Sequence, residues 1–359
     1  MLCNLRPMKI LLDNTLISEQ LYPFAQLGDV SDIRIGILTI KEKWEKMLGY
    51  PVFTQTNSIL DTATAGDVII KGNIIPSKKW IETFVKFNGD YTLIKEEIKV
   101  INDPIQIFQY NDWALREDFE LITSKSRSQP ISSTNKTINA GDIFLEKGVK
   151  MEHCILNASA GPIYIGKNAE IMEGSMIRGP FALCEGAVVK MGAKIYGATT
   201  IGPYCVVAGE IKNTVFFGYS NKAHDGYIGD SVIGEWCNLG AGTTNSNVKN
   251  TAGPVKLWNN SEKQFLHAGT KCGLLMGDYS RSAINTAFNT GTVVGICCNI
   301  FGESFPPKYI PDFSWGNERY LLEKVFTDID NWKKMKGKKL EENEKLQLTQ
   351  LFYKKQLNY

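Results

Sequence analysis

Only His153, His224 and His267 carry side chains that exchange a proton near neutral pH without help from their surroundings. His224 is embedded in a run of other reactive types, Glu210 to Asp230. An imidazole with a pKa of about 6.5 accepts a proton from an attacking nucleophile, so general-base chemistry is what this residue would offer. A lone loop histidine is more often structural, and the residues around it have to decide. The 8 cysteines, Cys3, Cys154, Cys184, Cys205, Cys237, Cys272, Cys297 and Cys298, show neither a secreted disulfide layout nor CxxC pairs of zinc spacing. No metal is therefore expected, and buried thiols are the simpler reading. Trp44, Trp80 and Trp113 offer flat rings to a nucleotide base, although packing between helices and sheet is the commoner use. The basic run Lys333 to Lys339 reads as a solvated face.

Those groups need a scaffold, and the sequence supplies one. Ile165, Ile171, Ile177, Leu183, Val189, Ile195, Ile201 and Val207 recur every sixth residue. Ala169, Ser175, Ala187, Ala193, Thr199 and Cys205 follow four residues after most of them. Each hexad makes one short strand with its aliphatic residue inward and a small residue in the corner. Three hexads per coil give a parallel β-helix, in which every coil buries its apolar face only against its neighbours. An ordinary sheet would alternate with period 2 instead. After Val207 the register slips and resumes at Tyr227, Ile233 and Leu239, as if about two extra residues lay within Glu210 to Gly226. Insertions in a solenoid leave as loops, so His224 is expected on one. Thr243 to Gly273 reads as a longer loop.

Residues 1–123 read as mixed α and β, with strands at Lys9 to Leu12 and Val68 to Lys71 and helices at Ile40 to Leu48 and Lys78 to Phe87. The polar stretch 124–142 reads as a linker, 143–312 as the β-helix, and 313–359 as a helical cap over the solenoid's open end. The net charge of +2 gives no reason to expect nucleic acid or a membrane as partner. No run approaches the roughly 20 apolar residues of a membrane span, and the N-terminus lacks a signal pattern, so a cytoplasmic location is expected.

Glu210 to Lys212, Ser220 to His224, Tyr227 to Asp230 and Ile233 to Thr243 together resemble the acetyltransferase half of the bifunctional N-acetylglucosamine-1-phosphate uridylyltransferase and glucosamine-1-phosphate acetyltransferase family. The resemblance implies a left-handed β-helix, acetyl-CoA as cofactor, an amino-sugar phosphate as acceptor and a homotrimer with sites between subunits. It places His224 on the general base, Lys212 and Tyr227 on groups that hold the sugar phosphate, Asn238 and Asn247 on further sugar contacts, and Ala241 near the acetyl group. One departure stands out. Where the family has a phosphate-gripping arginine after Gly179 to Ala182, this chain has Glu185, so either Arg178 or Lys190 compensates from a neighbouring corner or the acceptor is a different sugar.

The N-terminal region, through Leu21 to Phe24, Asp32 to Glu45 and Lys71 to Pro76, resembles a divergent branch of sugar nucleotidyltransferase-like proteins. The glycine-rich phosphate loop of standard members is absent from residues 1–60, so the usual cradle of backbone amides is missing. Arg34 and Lys43 would bring positive charge to a nucleotide, or else serve as a structural ion pair and a solvated helix residue. Mg2+ enters only if that site is active. Three functions follow. The preferred one is an acetyl-CoA-dependent N-acetyltransferase of nucleotide-sugar biosynthesis, bifunctional if the first domain still transfers nucleotides. The others are a nucleotidyltransferase using UTP or dTTP whose β-helix only oligomerises it, and a non-enzymatic scaffold.

Overall fold

The computed structural model describes residues 8–15, 17–55, 67–94 and 98–356. Cys3 lies outside them. The N-terminal region is built on a parallel sheet in which β1 (Ile10–Asp13) lies between β2 (Phe53–Gln55) and β3 (Val68–Lys71). Helix α1 (Ile40–Leu48) starts at a capping box, Thr39 accepting from the Glu42 N–H and Glu42 from that of Thr39. Helix α2 (Lys78–Lys86) starts on Ser77, and α3 (Asn111–Thr123) follows. Trp44 and Trp80 meet edge to face at 5.6 Å in the core, so these rings pack the interior.

From Lys136 the chain winds into a left-handed parallel β-helix. Face A runs from Lys136–Ile138 through Ile155–Asn157, Met176–Arg178 and Lys194–Tyr196 to the first halves of Glu210–Phe216 and Tyr227–Ile233. Face B runs from Ile143–Leu145 to Tyr309–Ile310, and face C from Lys150–Met151 to Ser314–Trp315. Ile165 pairs in register with Leu183 and then Ile201, and Ile171 with Val189 and then Val207, so hits three hexads apart stack directly. All eight aliphatics and all six small corner residues are buried. Burying each large aliphatic stabilises by about 1.5–3 kcal/mol, which is what lets the repeat propagate from coil to coil.

Several sequence expectations change. The helix begins at Lys136 and runs to Trp315, so part of the stretch read as a linker is its first strand, and its end passes residue 312. The slip after Val207 is a deletion: Ile195, Ile211 and Ile228 stack at spacings of 16 and 17, and Ile201, Phe216 and Ile233 at 15 and 17. Four missing residues leave the same remainder on division by six as two extra ones. Consequently Ile228 points inward where Tyr227 was expected, and the segment holding His224 is a tight turn. The chain leaves the solenoid later, after Asn245, in an excursion that carries the hairpin Lys256–Asn259 and Gln264–His267 and returns at Leu274.

The regions also share one core. Outward residues of face B, among them Val215, Val232, Leu275 and Val293, are wholly buried in a single apolar cluster with Ile10, Trp44 and Phe108. Finally, α4 (Leu322–Lys334) and α5 (Glu342–Gln356) lie along the solenoid's side instead of over its end. They pack on Trp236, Tyr279 and Phe313, edge residues of three coils between faces B and C, and Lys336 reaches back to the carbonyl oxygen of Tyr204 at 2.6 Å.

Candidate functional site

His224 sits on the edge between faces C and A, in the turn joining Asn221–Lys222 to Tyr227, with its side chain exposed. The turn is held from inside. Lys222 takes an inward position stacked on Val207, is 0% exposed, and donates from its ammonium to the carbonyl oxygens of His224 and, at 2.8 Å, of Asp225. Burial draws its pKa down to about 8. Gly226, at φ 121°, lets the turn lie against the next coil, since a Cβ there would stand 2.2 Å from the Thr243 carbonyl oxygen. In that next coil Gly242 donates to the Asp225 carbonyl at 3.0 Å. Ala241 lies one residue before it, on the same edge as His224, and its N–H has no acceptor among the described residues.

Face A adjoins this edge. Its register sets Glu210 between Lys194 and Tyr227, and Lys212 between Tyr196 and Gly229. Because Gly229 has no side chain, the Tyr227 ring leans over it: an ideal Cβ on Gly229 would lie 2.1 Å from the Tyr227 hydroxyl oxygen. That hydroxyl therefore occupies the place next to Lys212 in its column. Asp230, 4% exposed, accepts from Asn213 at 2.7 Å and from Asn247 at 2.5 Å, and Asn247 also hydrogen-bonds Tyr227. Burial, with the Asp230 charge behind it, pushes the Tyr227 phenol above its ordinary 10, so it stays a neutral donor at neutral pH. Arg178 lies two strands before Lys212 on this face, and neither forms an ion pair among the described residues. Glu185 is on the edge between faces B and C, 3.8 Å from Lys167. Lys190 is on the edge between faces C and A, one coil before Ala208.

The structure thus brings Lys212, Tyr227 and Asn247 together on face A and sets His224 and Ala241 on the adjoining edge. Asn238 is on face C instead, between Asn221 and Arg281. Arg34 and Lys43 are far from all of these, beside face B, where the carbonyl of neighbouring Gly36 accepts from Thr200 at 2.9 Å. Lys43 is 1% exposed and ion-paired to the buried Asp118, which corrects its reading both as a nucleotide contact and as a solvated helix residue, because its charge is already matched inside the fold. Arg34 donates to the Ile37 carbonyl. After β1, the Thr15 N–H donates to Asp13 and the Ser31 N–H to Asn14, at 3.0 and 3.1 Å. Those amides are turned inward to side chains and cradle no phosphate. Burial pushes the Cys205 thiol up to about 12, in keeping with a structural role.

Sequence reasoning missed Lys222, Gly229 and Asp230. None of the three was marked by the hexad period, since Lys222 follows the inward Val207 by fifteen residues and not by a multiple of six. Two cavities lie elsewhere on the molecule. One of about 390 Å³, between the N-terminal region, the solenoid and α5, is lined by Asp29, Asp32, Glu235 and Asp278, a set that repels phosphate. Burial, then the charge of Glu235, raises Asp278 to about 7. Another of about 590 Å³, among α1, α2 and α3, mixes Lys46, Lys78 and Lys125 with Glu82, Glu117 and Glu120.

By its fold the chain is a hexapeptide-repeat β-helix fused to an α/β region. Residues 9–97 match the family described as sugar nucleotidyl transferase. The bifunctional protein GlmU of Methanocaldococcus jannaschii is 32% identical over 106 residues, 27% of this chain and 26% of that protein. GlmU of Synechococcus elongatus is 24% identical over 240 residues, 60% of this chain and 47% of that protein. The bifunctional sugar-1-phosphate nucleotidylyltransferase/acetyltransferase of Sulfurisphaera tokodaii is 29% identical over 212 residues, 56% of this chain and 44% of that protein. The chain therefore spans under half the length of these relatives. Among the described residues no helix is long and apolar enough to cross a membrane.

Proposed function

We propose that this chain is an acetyl-CoA-dependent N-acetyltransferase acting on an amino-sugar phosphate. The observation that carries the reading is the exposed imidazole of His224 on a turn clamped from within by Lys222, beside the unpartnered N–H of Ala241 and next to the Lys212 and Tyr227 pair. Acetyl-CoA would supply the thioester carbonyl, and the edge fits it because Ala241 carries both a small side chain and a free donor. The acceptor's ammonium first gives one proton to solvent; His224 takes a second from nitrogen as the lone pair attacks and the C–N bond forms, and returns that proton to the sulfur as the C–S bond breaks. The Ala241 N–H donates to the carbonyl oxygen as negative charge builds there. Lys212 and Tyr227 hold the phosphate, the first as a point charge and the second as a neutral donor, with Arg178 on the same face standing in for the arginine that Glu185 replaces. Fixing amine and carbonyl together is worth roughly 7–11 kcal/mol over free encounter. A trimer, with each edge facing a neighbour's coils, and a cytoplasmic location complete this reading.

The test is release of free CoA thiol from acetyl-CoA and glucosamine-1-phosphate. His224→Ala should abolish the release while leaving the circular dichroism unchanged. Persistent release in that variant would end the proposal. A second reading, nucleotidyl transfer, is favoured by the match over residues 9–97 and opposed by the inward amides after β1. It requires pyrophosphate release from UTP or dTTP with Mg2+.

A further inference from the structure

Face C carries an outward polar column, Asn221, Asn238, Arg281 and Asn299, beneath α4 and the segment that follows it. Arg281 is 8% exposed, with its guanidinium 5.5 Å from the Trp332 ring. A ring on the face of a guanidinium occupies none of its N–H donors. Nε and Nη2 of Arg281 are both buried and have no hydrogen-bond partner. These two nitrogens form one edge of the planar fork, the edge whose parallel N–H groups match two oxygens of a phosphate or carboxylate. No ion pair to Arg281 exists among the described residues. Asp328 accepts from the Tyr320 hydroxyl instead. Asn238, next in the column, is half-buried, and its amide has no hydrogen-bond partner among the described residues; Lys336 donates at 3.1 Å to Asn221 beyond it.

A buried cation with two unmade hydrogen bonds is destabilising unless something supplies acceptors. We propose that the seam between face C and α4 binds an oxyanion on the vacant edge of Arg281, with the Asn238 amide donating to a further oxygen. Phosphate suits the site better than a carboxylate, because Nε and Nη2 of Arg281 take up both oxygens of a carboxylate, whereas a phosphate has a further oxygen for the Asn238 amide. The seam is on a different face from Lys212 and Tyr227, so this inference stands independently of the acyl-transfer reading.

Thermal unfolding of the full chain tests it, titrated at constant ionic strength with inorganic phosphate, acetate or glucosamine-1-phosphate. Phosphate should raise the midpoint saturably, acetate should do so weakly, and Arg281→Lys should lose most of the effect because lysine keeps the charge but not the fork. A shift produced only by glucosamine-1-phosphate and lost in Arg281→Lys would identify an esterified phosphate as the source and support the site. An equal response in the variant, or none in wild type to any of the three, would overturn it. Should Arg281→Lys fail to fold, broadening of the phosphate 31P resonance by wild type and its reduction by Asn238→Ala decide the matter, an unbroadened line counting against the site.

Discussion

The ammonium of Lys222 grips the main-chain oxygen of His224 from inside the solenoid while the imidazole two residues on faces solvent. A lysine at an inward position gives up hydration, and here two carbonyl acceptors in one turn, with the charge of Asp225, offset part of that loss. Lys222→Met fills the same space without the donors. The variant should lose about 1–3 kcal/mol, the cost of leaving those oxygens unmet, and its kcat for acyl transfer should fall more than its KM for the acceptor rises. Urea unfolding and steady-state kinetics measure the two effects separately.

The same residue gives stability a pH dependence of fixed sign. Burial lowers its pKa from 10.5 to about 8, so between those values the unfolded chain holds a proton that the folded chain has shed. Stability from this group is then present above pH 10.5 and lost as pH falls through about 8. Wild type should gain on Lys222→Met as pH rises from about 7.5 to 10. A difference between the two that stays flat over that range would contradict the desolvation of the ammonium.

Because the outward residues of face B belong to the N-terminal core, the chain should unfold as one unit. Leu275→Ala, on that shared surface, should cost about 2–5 kcal/mol and move a single calorimetric transition. Met176→Ala, outward on face A and 43% exposed, should change stability by less than about 0.5 kcal/mol. Two separate transitions in wild type would favour domains joined by a linker.

The repeat was legible because an inward aliphatic must recur wherever a coil closes, and Ile165 through Val207 obey that without interruption. The strands near Ile10 and Val68 and the helices at Ile40, Lys78, Leu322 and Glu342 were legible from their own periodicity. Period alone fails where a coil shortens: spacings of 15 to 17 keep Ile201, Phe216 and Ile233 stacked, yet in the sequence they mimic an insertion. Docking was hidden for a different reason. Val215 and Val232 alternate with inward residues as any strand does, and nothing local shows that their outer side meets a second layer. In the candidate site, His224, Lys212 and Tyr227 stood out as reactive types. Gly229 did not, because its part is to lack a side chain.

That missing side chain supplies the sharpest test of how face A works. Gly229 has an ordinary backbone conformation, and the atom its Cβ would strike is the far end of Tyr227. Gly229→Ala should therefore fold with a stability change below about 1 kcal/mol, with the phenol rotating out of the Lys212 column. If the pair holds the acceptor's phosphate, KM for the amino-sugar phosphate should rise several-fold, as in Tyr227→Phe, with KM for acetyl-CoA unchanged. Combining the two substitutions should add little, since both remove the same hydroxyl from the same place. Fully additive losses would mean that Tyr227 acts from some other position and that Gly229 matters only to the strand.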